Sequence, residues 1–245
     1  MVAPGGFMLG RAPMALVFAL ISQRRRRLHV VSLPNPLPAE MLVAAGCASR
    51  VDFLFNALTL GGRVRPMPCL KRAIERGEIQ WREHDGYRLV QGLRASAMGL
   101  PFLPAPDADI SAVAALEPPR SVVDPFSGEA VPVEPALEPD VALLHAQAAD
   151  ERGNLFIEDP TTDVLIAGAA RRVVATAERR VRALKRVTIP AFQVDQVAEA
   201  PQGALPSGCW GHYGADEEAL ERYLALAEAG QATEFLNSVL GRRAA

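Results

Sequence analysis

Cysteine is scarce in this chain and badly placed for the roles that need it in pairs. Cys47, Cys69 and Cys209 lie far apart and form no CxxC pair. Neither a disulfide framework nor a structural zinc site is suggested, and a reducing, cytoplasmic setting fits. Long apolar runs are also missing. Met14 to Ile21 has the length of a signal-peptide h-region, yet the glycine pair and Arg11 before it and the arginines after it suit an amphipathic helix better. It is far short of the roughly 20 apolar residues that a membrane span requires, so a soluble protein is expected. A surplus of positive charge is absent too: Lys and Arg number 26 against 28 Asp and Glu, a net charge of -2. That leaves no overall basic field for nucleic acid. Arg24 to Arg27 are the local exception, and their place between an apolar helix pattern and a strand suits a solvated helix end. No internal repeat and no Ser-His-Asp, HExxH, Walker or full GxGxxG pattern occurs.

What the chain does have is apolar content, 49% over 245 residues, enough for one large core. Its clearest element is Val141-Ala142-Leu143-Leu144, bounded by Glu138-Pro139-Asp140 and by the polar turn Asp150-Glu151-Arg152-Gly153-Asn154. A short, unbroken apolar run between turn signals reads as a strand buried on both faces. Strand patterns at 28–33, 51–56, 79–83 and 173–177 alternate with helix patterns at 39–45, 69–76, 87–98 and 163–170. Such alternation predicts a single-domain α/β fold over residues 1–245, a mainly parallel sheet with helices on both faces. In open sheets of this kind ligands bind at the carboxyl edge.

The opening Gly5-Gly6-Phe7 reads as a loop that normally follows a strand, and almost no chain precedes it. The expectation is a sheet lacking its usual first helix and strand. Residues 59–68 read as a loop. The pattern lapses into prolines and acidic residues over 104–139, a surface excursion of the length that lids and interface segments have. A last strand is expected at 192–197 and two helices at 216–229 and 233–240.

Several residues could carry chemistry, each with a plainer alternative. Gly5 and Gly6, before a helix, either aim backbone amides at an anion or form a tight turn. Gly61-Gly62-Arg63-Val64-Arg65 offers amides and two guanidinium groups to a carboxylate or phosphate, or is solvated surface. Glu83, at a strand end beside His84 and Asp85, suits a general base or an ion pair with Arg82 or Arg88. His145 ends the central strand, as a catalytic group or as part of the crevice wall. Cys69 has no histidine near it in sequence and reads as a buried helix residue.

Five phrases in order narrow the field: Gly5-Gly6-Phe7, Gly99-Leu100-Pro101-Phe102-Leu103-Pro104, Asp140 to Ala146, Gly153-Asn154, and Ala200-Pro201-Gln202-Gly203-Ala204-Leu205-Pro206. Together they resemble the A (alpha) subunit of class I CoA-transferases of the glutaconate CoA-transferase type. Three more phrases, Ser32 to Glu40, Gly62 to Ala73 and Arg82 to Arg88, are most similar to the A subunit of a CoA-transferase-like decarboxylase. That family turns 3-methylglutaconyl-CoA into 3,3-dimethylacrylyl-CoA, a step towards isovaleryl-CoA.

The resemblance implies a partner, a B subunit of the same family in a heterodimer or heterotetramer. It implies a CoA thioester as substrate, no permanently bound cofactor and no metal. This chain would supply half an active site: Glu83, Gly6 and Gly61 as catalytic positions, with Gly5, Phe7, Asn35, Arg63, Arg65 and His145 on the substrate. Transfer of CoA to a carboxylate, hydrolysis of a cyclic β-keto-CoA and a non-catalytic binding or scaffold role are the alternatives.

Overall fold

The computed structural model describes residues 1–105, 112, 113 and 118–244. Its centre is a parallel sheet of seven strands. In chain order these are β1 (Val2–Pro4), β2 (Leu28–Ser32), β3 (Ala48–Phe53), β6 (Gln80–Glu83), β10 (Val141–Ala146), β13 (Val173–Ala177) and β15 (Gln196–Glu199). In space they follow the order β15-β13-β10-β1-β2-β3-β6. Consecutive apolar residues serve opposite faces because side chains alternate along a strand. Val2, Val30 and Leu143 face one apolar core, and Ala3, Val31 and Leu144 face the other. This is why β10 reads as an unbroken apolar run rather than an alternating one.

Helices cover both faces. α1 (Met14–Ser22), α2 (Pro36–Ala44), α3 (Pro68–Glu75), α6 (Glu217–Glu228) and α7 (Ala232–Ala244) lie on the first core. α4 (Gly86–Ala97) and α5 (Asp163–Ala169) lie on the second. The expected α/β architecture is the one observed. No helix of the described residues is long and apolar enough to cross a membrane.

Three expectations are corrected. The strand expected to be missing before Gly5 is present: Val2, Ala3 and Pro4 pair in parallel with Val141, Ala142 and Leu143 on one side, and Val2 pairs with Val30 on the other. Three residues are too few for a periodicity signal, yet they fill the middle of the sheet. Residues 59–68 hold a hairpin rather than a loop, β4 (Ala57–Leu60) and β5 (Arg63–Pro66), turned by Gly61 and Gly62 at φ 55° and 73°. Positive φ at both central residues is what a two-residue turn of type I′ requires. The last strand begins at Gln196, because Ala191–Gln193 forms a 3₁₀ turn first.

The proline-rich excursion contributes an antiparallel sheet of β7 (Phe102–Pro104), β9 (Ala130–Pro135) and β8 (Arg120–Val123). Residues 106–111 and 114–117 of this stretch lie outside the described residues. A second small sheet is made by β11 (Ala148–Asp150), β12 (Leu155–Phe156) and β14 (Arg180–Val181).

The helical layer over the first core is tied together by one carboxylate. Glu40, fully buried in α2, accepts the amides of Cys69 (2.9 Å) and Leu70 (2.8 Å) at the start of α3 and the hydroxyl of Tyr223 (2.7 Å) in α6. Burial outweighs these bonds and pushes its carboxyl above the usual range. Without the carboxylate the two amides at the start of α3 lose their acceptor. Glu40→Ala should therefore cost about 2–4 kcal/mol of stability, and Tyr223→Phe about 1 kcal/mol. Urea unfolding midpoints measure both, and an unshifted midpoint for Glu40→Ala would refute the capping role.

Candidate active site

The carboxyl ends of β1, β2 and β10 meet around Gly5 and Gly6. A Cβ on Gly5 would lie 2.5 Å from the Asp163 Oδ1 and 2.6 Å from Leu144 Cδ2; Gly6 has φ +84° and a Cβ there would lie 2.6 Å from the Gly10 carbonyl. Only glycine fits at either place. Asp163 is the reason for the crowding. Its Oδ1 accepts the Gly6 amide at 3.0 Å and Arg11 Nη1 at 3.2 Å, and its Oδ2 accepts Arg11 Nη2 at 2.9 Å.

Arg11 has no exposed surface and directs its donors into this one cluster. Besides Asp163 it reaches Asp159 Oδ1 at 2.5 Å, the Asp159 carbonyl at 2.7 Å and the His145 carbonyl at 3.2 Å. Burial disfavours the charge, but the two aspartates more than offset it and hold its pKa above the ordinary value. Asn35 closes the other side of the loop, donating from Nδ2 to the Gly5 carbonyl at 2.6 Å. Its Oδ1 is buried and finds no partner among the described residues.

The amides of this loop are therefore not free. Gly5 donates to the Leu143 carbonyl (2.9 Å), Phe7 to Gly10 (2.9 Å) and Met8 to Pro34 (2.6 Å), as Gly6 does to Asp163. Gly5 and Gly6, expected to offer amides to an anion or oxyanion, thus donate both to the scaffold in this structure. Of the loop, the exposed side chain is Phe7.

His145 belongs to the wall. It is fully buried, with Nδ1 2.8 Å from Thr176 Oγ1 and Nε2 2.6 Å from Glu178 Oε1. Glu178 also accepts the Tyr213 hydroxyl and, at 2.8 Å, the Gln202 amide. Burial raises the Glu178 pKa, but the bonds from His145, Tyr213 and Gln202 outweigh it and hold the carboxyl below its usual range. Burial, with Glu178 beside it, pushes the neighbouring Cys209 thiol up to about 12 and the Tyr213 hydroxyl upward as well. His145, Glu178 and Cys209 bring ligand-type atoms within 4.8 Å of one another. Both imidazole nitrogens and both Glu178 oxygens already hold hydrogen bonds within the protein.

Glu83 stands apart. It pairs in register with Phe53, which faces the first core, and its side chain is exposed. Neither neighbour serves it: His84 turns inward to within 3.5 Å of Asp52, and Asp85 caps α4 through the Tyr87 amide at 2.9 Å. Arg88, one of its two expected partners, pairs instead with Glu134 at 2.7 Å. Arg65 is also engaged, 3.0 Å from Glu221 and 3.4 Å from Glu228 of α6. Arg63 and Gly61 are exposed, and among the described residues Arg63 makes no ion pair.

Arg11, Asp159, Asp163, Glu178 and Tyr213 join the site without any motif to announce them. An arginine inside a glycine-rich loop is the one available signal, since a lone charge there needs a partner. The partners themselves lie about 150 residues away in sequence.

The depressed Glu178 carboxyl makes a pH prediction. A folded-state pKa below the unfolded value of about 4.3 gives stability that is present above that value and lost as pH falls through the folded pKa. Glu178→Gln should lower Tm near neutrality and flatten its fall below about pH 4. Parallel Tm profiles for the two proteins would refute it.

Known proteins resemble this one in fold and in sequence. A crystal structure of a variant of the decarboxylase AibA/AibB superposes with a TM-score of 0.95 at 65% identity, covering 98% of this chain and 92% of the other. Glutaconate coenzyme A-transferase from Acidaminococcus fermentans superposes at 0.84 with 26% identity, covering 98% and 82%. An uncharacterized protein of Archaeoglobus fulgidus is 34% identical over 92% of this chain, which spans 52% of that protein's length. The coenzyme A transferase family model matches residues 1–200, most of the chain, and this protein belongs to that family.

Proposed function

We propose that this chain is the A subunit of a two-subunit CoA-thioester enzyme that decarboxylates 3-methylglutaconyl-CoA to 3,3-dimethylacrylyl-CoA. The observation that carries the reading is the 65% identity to the decarboxylase AibA/AibB over 98% of the chain. The geometry is compatible with it. The buried loop amides and His145 are engaged by the scaffold, so the chain presents Glu83, Phe7, Arg63 and the Gly61-Gly62 turn at its surface and leaves the rest of the site to a B subunit.

The reaction needs no group transfer to the protein. The bond to the terminal carboxylate breaks, and its electron pair moves through the conjugated double bond onto the thioester oxygen, giving a dienolate and CO2. A proton added at the γ-carbon completes the product. Two demands follow: donors where the oxyanion forms and an acid where the carbon is protonated. Glu83 is the acid in this reading. The exposed Gly61-Gly62 turn is what remains of the expected oxyanion donors on this chain, and Arg63 anchors the departing carboxylate. Coenzyme A enters only as part of the substrate.

Co-expression with the B subunit, incubation with 3-methylglutaconyl-CoA in acetate buffer and mass spectrometry of the CoA esters test the reading. Dimethylacrylyl-CoA without acetyl-CoA is expected, and acetyl-CoA would identify a transferase instead. In the same assay Glu83→Gln should lower kcat about 100-fold or more. Arg63→Ala should lower kcat/KM about tenfold or more, whereas Arg65→Ala, whose guanidinium is held by Glu221 and Glu228, should change it less than about threefold. Equal effects at the two arginines would remove the anchoring role of Arg63.

A further inference from the structure

We infer that this protein has a second activity, exchange of the γ-protons of α,β-unsaturated acyl-CoA thioesters that carry no carboxylate, with Glu83 as acid and base; this rests on the reading that decarboxylation ends in protonation at the γ-carbon. The fold commits the other carboxylates of the carboxyl edge. Asp52 accepts Arg50 Nε at 2.8 Å and Nη2 at 3.0 Å. Asp85 caps α4, Asp159 and Asp163 hold Arg11, and Asp150 accepts the amides of Arg152 and Asn154 at 3.0 Å. Glu178 accepts His145, Tyr213 and the Gln202 amide. Protonating any of these would cost the scaffold an acceptor. Glu83 stands at the same edge with its side chain exposed, and among the described residues it makes no side-chain hydrogen bond and no ion pair. It changes protonation state without breaking a bond of the fold.

Its surroundings suit a conjugated hydrocarbon. Side chains alternate along β6, so Trp81 and Glu83 share one face with Phe53, which pairs in register with Glu83. The Trp81 indole stacks on Phe53, with ring centres 6.3 Å apart and planes 26° from parallel, yet it stays 49% exposed. Beyond Glu83 the chain is pinned: the His84 amide donates to the Phe53 carbonyl at 2.8 Å, and Asp85 accepts the Tyr87 amide at 2.9 Å. A carboxylate on a fixed strand end, with an open aromatic surface on the same face, receives a flat enoyl group laid against the ring with one carbon turned to the acid.

Protonation of a dienolate at its γ-carbon runs in both directions. In reverse, Glu83 takes a proton from the γ-carbon of 3,3-dimethylacrylyl-CoA. The C–H electron pair becomes the β,γ double bond, the α,β pair moves between the α-carbon and the carbonyl carbon, and the carbonyl pair goes to the thioester oxygen. The Glu83 carboxyl trades its proton for one from water and returns that one to the same carbon. Nothing else is consumed, so the substrate class is enoyl thioesters with a γ C–H bond. A saturated acyl chain offers the electron pair no path to oxygen and is excluded. The carbon facing Glu83 is the one that loses CO2 in the forward reaction, so exchange is confined to one of the two methyl groups.

The test uses the purified complex with its B subunit, incubated with 3,3-dimethylacrylyl-CoA in D2O while proton NMR follows the two methyl resonances. Decarboxylation of 3-methylglutaconyl-CoA in D2O marks the methyl that receives solvent hydrogen. Deuterium should enter that methyl alone, and the methyl group of crotonyl-CoA should exchange as well. Glu83→Gln should slow the exchange at least about 100-fold, whereas His212→Asn, which removes an exposed imidazole two residues after Trp210, should change it less than about threefold. Unchanged exchange in Glu83→Gln, equal labelling of both methyls, or a larger loss at His212 than at Glu83 would overturn the inference. So would a complex that decarboxylates but exchanges nothing, which leaves the decarboxylase reading standing. A complex that exchanges one methyl but leaves 3-methylglutaconyl-CoA unchanged would remove the decarboxylase reading and keep the proton-exchange activity.

Discussion

The fully buried ion pair between Arg11 and Asp163 is the constraint on which the carboxyl edge of the sheet depends. Two charges removed from water are tolerable only when their remaining hydrogen-bonding capacity is met, and here it is: Arg11 reaches two carboxylates and two carbonyls, and Asp163 adds the Gly6 amide. Asp163 also opens α5, where the helix dipole favours an anion. The pair joins the loop after β1 to the helix after β10 across the centre of the sheet. Breaking it would leave an uncompensated buried charge, which costs about 3–5 kcal/mol.

That constraint has a consequence for chemistry. Glycine amides at the end of a strand suggest an oxyanion hole, but an amide can serve one acceptor well, and the Asp163 carboxylate is a stronger acceptor than a thioester carbonyl. The same logic governs His145, whose ring is fixed on both nitrogens by Thr176 and Glu178. The polar groups named here bond one another and build a rigid wall at this edge. Rigidity of this kind is what positions the few accessible groups, Phe7 from the loop and Glu83 from the edge strand.

Fold was legible where the information is local. Val141 to Leu144, Val173 to Ala177 and the helix beginning near Asp163 each carry their own length, period and turn signals, and each appears where expected. β1 escapes notice because three residues carry no period, and the hairpin at Gly61-Gly62 because its strands are four residues each. The site was less legible for a different reason. Its deciding bonds join residues 152 and 33 apart, Arg11 with Asp163 and His145 with Glu178, and no spacing rule connects such positions. Gly5, Gly6, Asn35 and His145 do lie at the edge, but which way their donors point is settled by partners the sequence does not mark.

The surface beside this edge is unusual for a finished site. Phe7 is 46% exposed, Tyr87 53% and Trp210 72%, three large aromatics beside the carboxyl ends of β1, β6 and β10. Water-facing aromatics gathered at one edge are what a protein covers with another surface. A chain that commits its own amides to its scaffold and exposes an aromatic rim suits the proposed reading of a subunit that shares its site with a second one. In the decarboxylation proposed above, such a division leaves this chain to orient the thioester and a B subunit to supply the oxyanion donors.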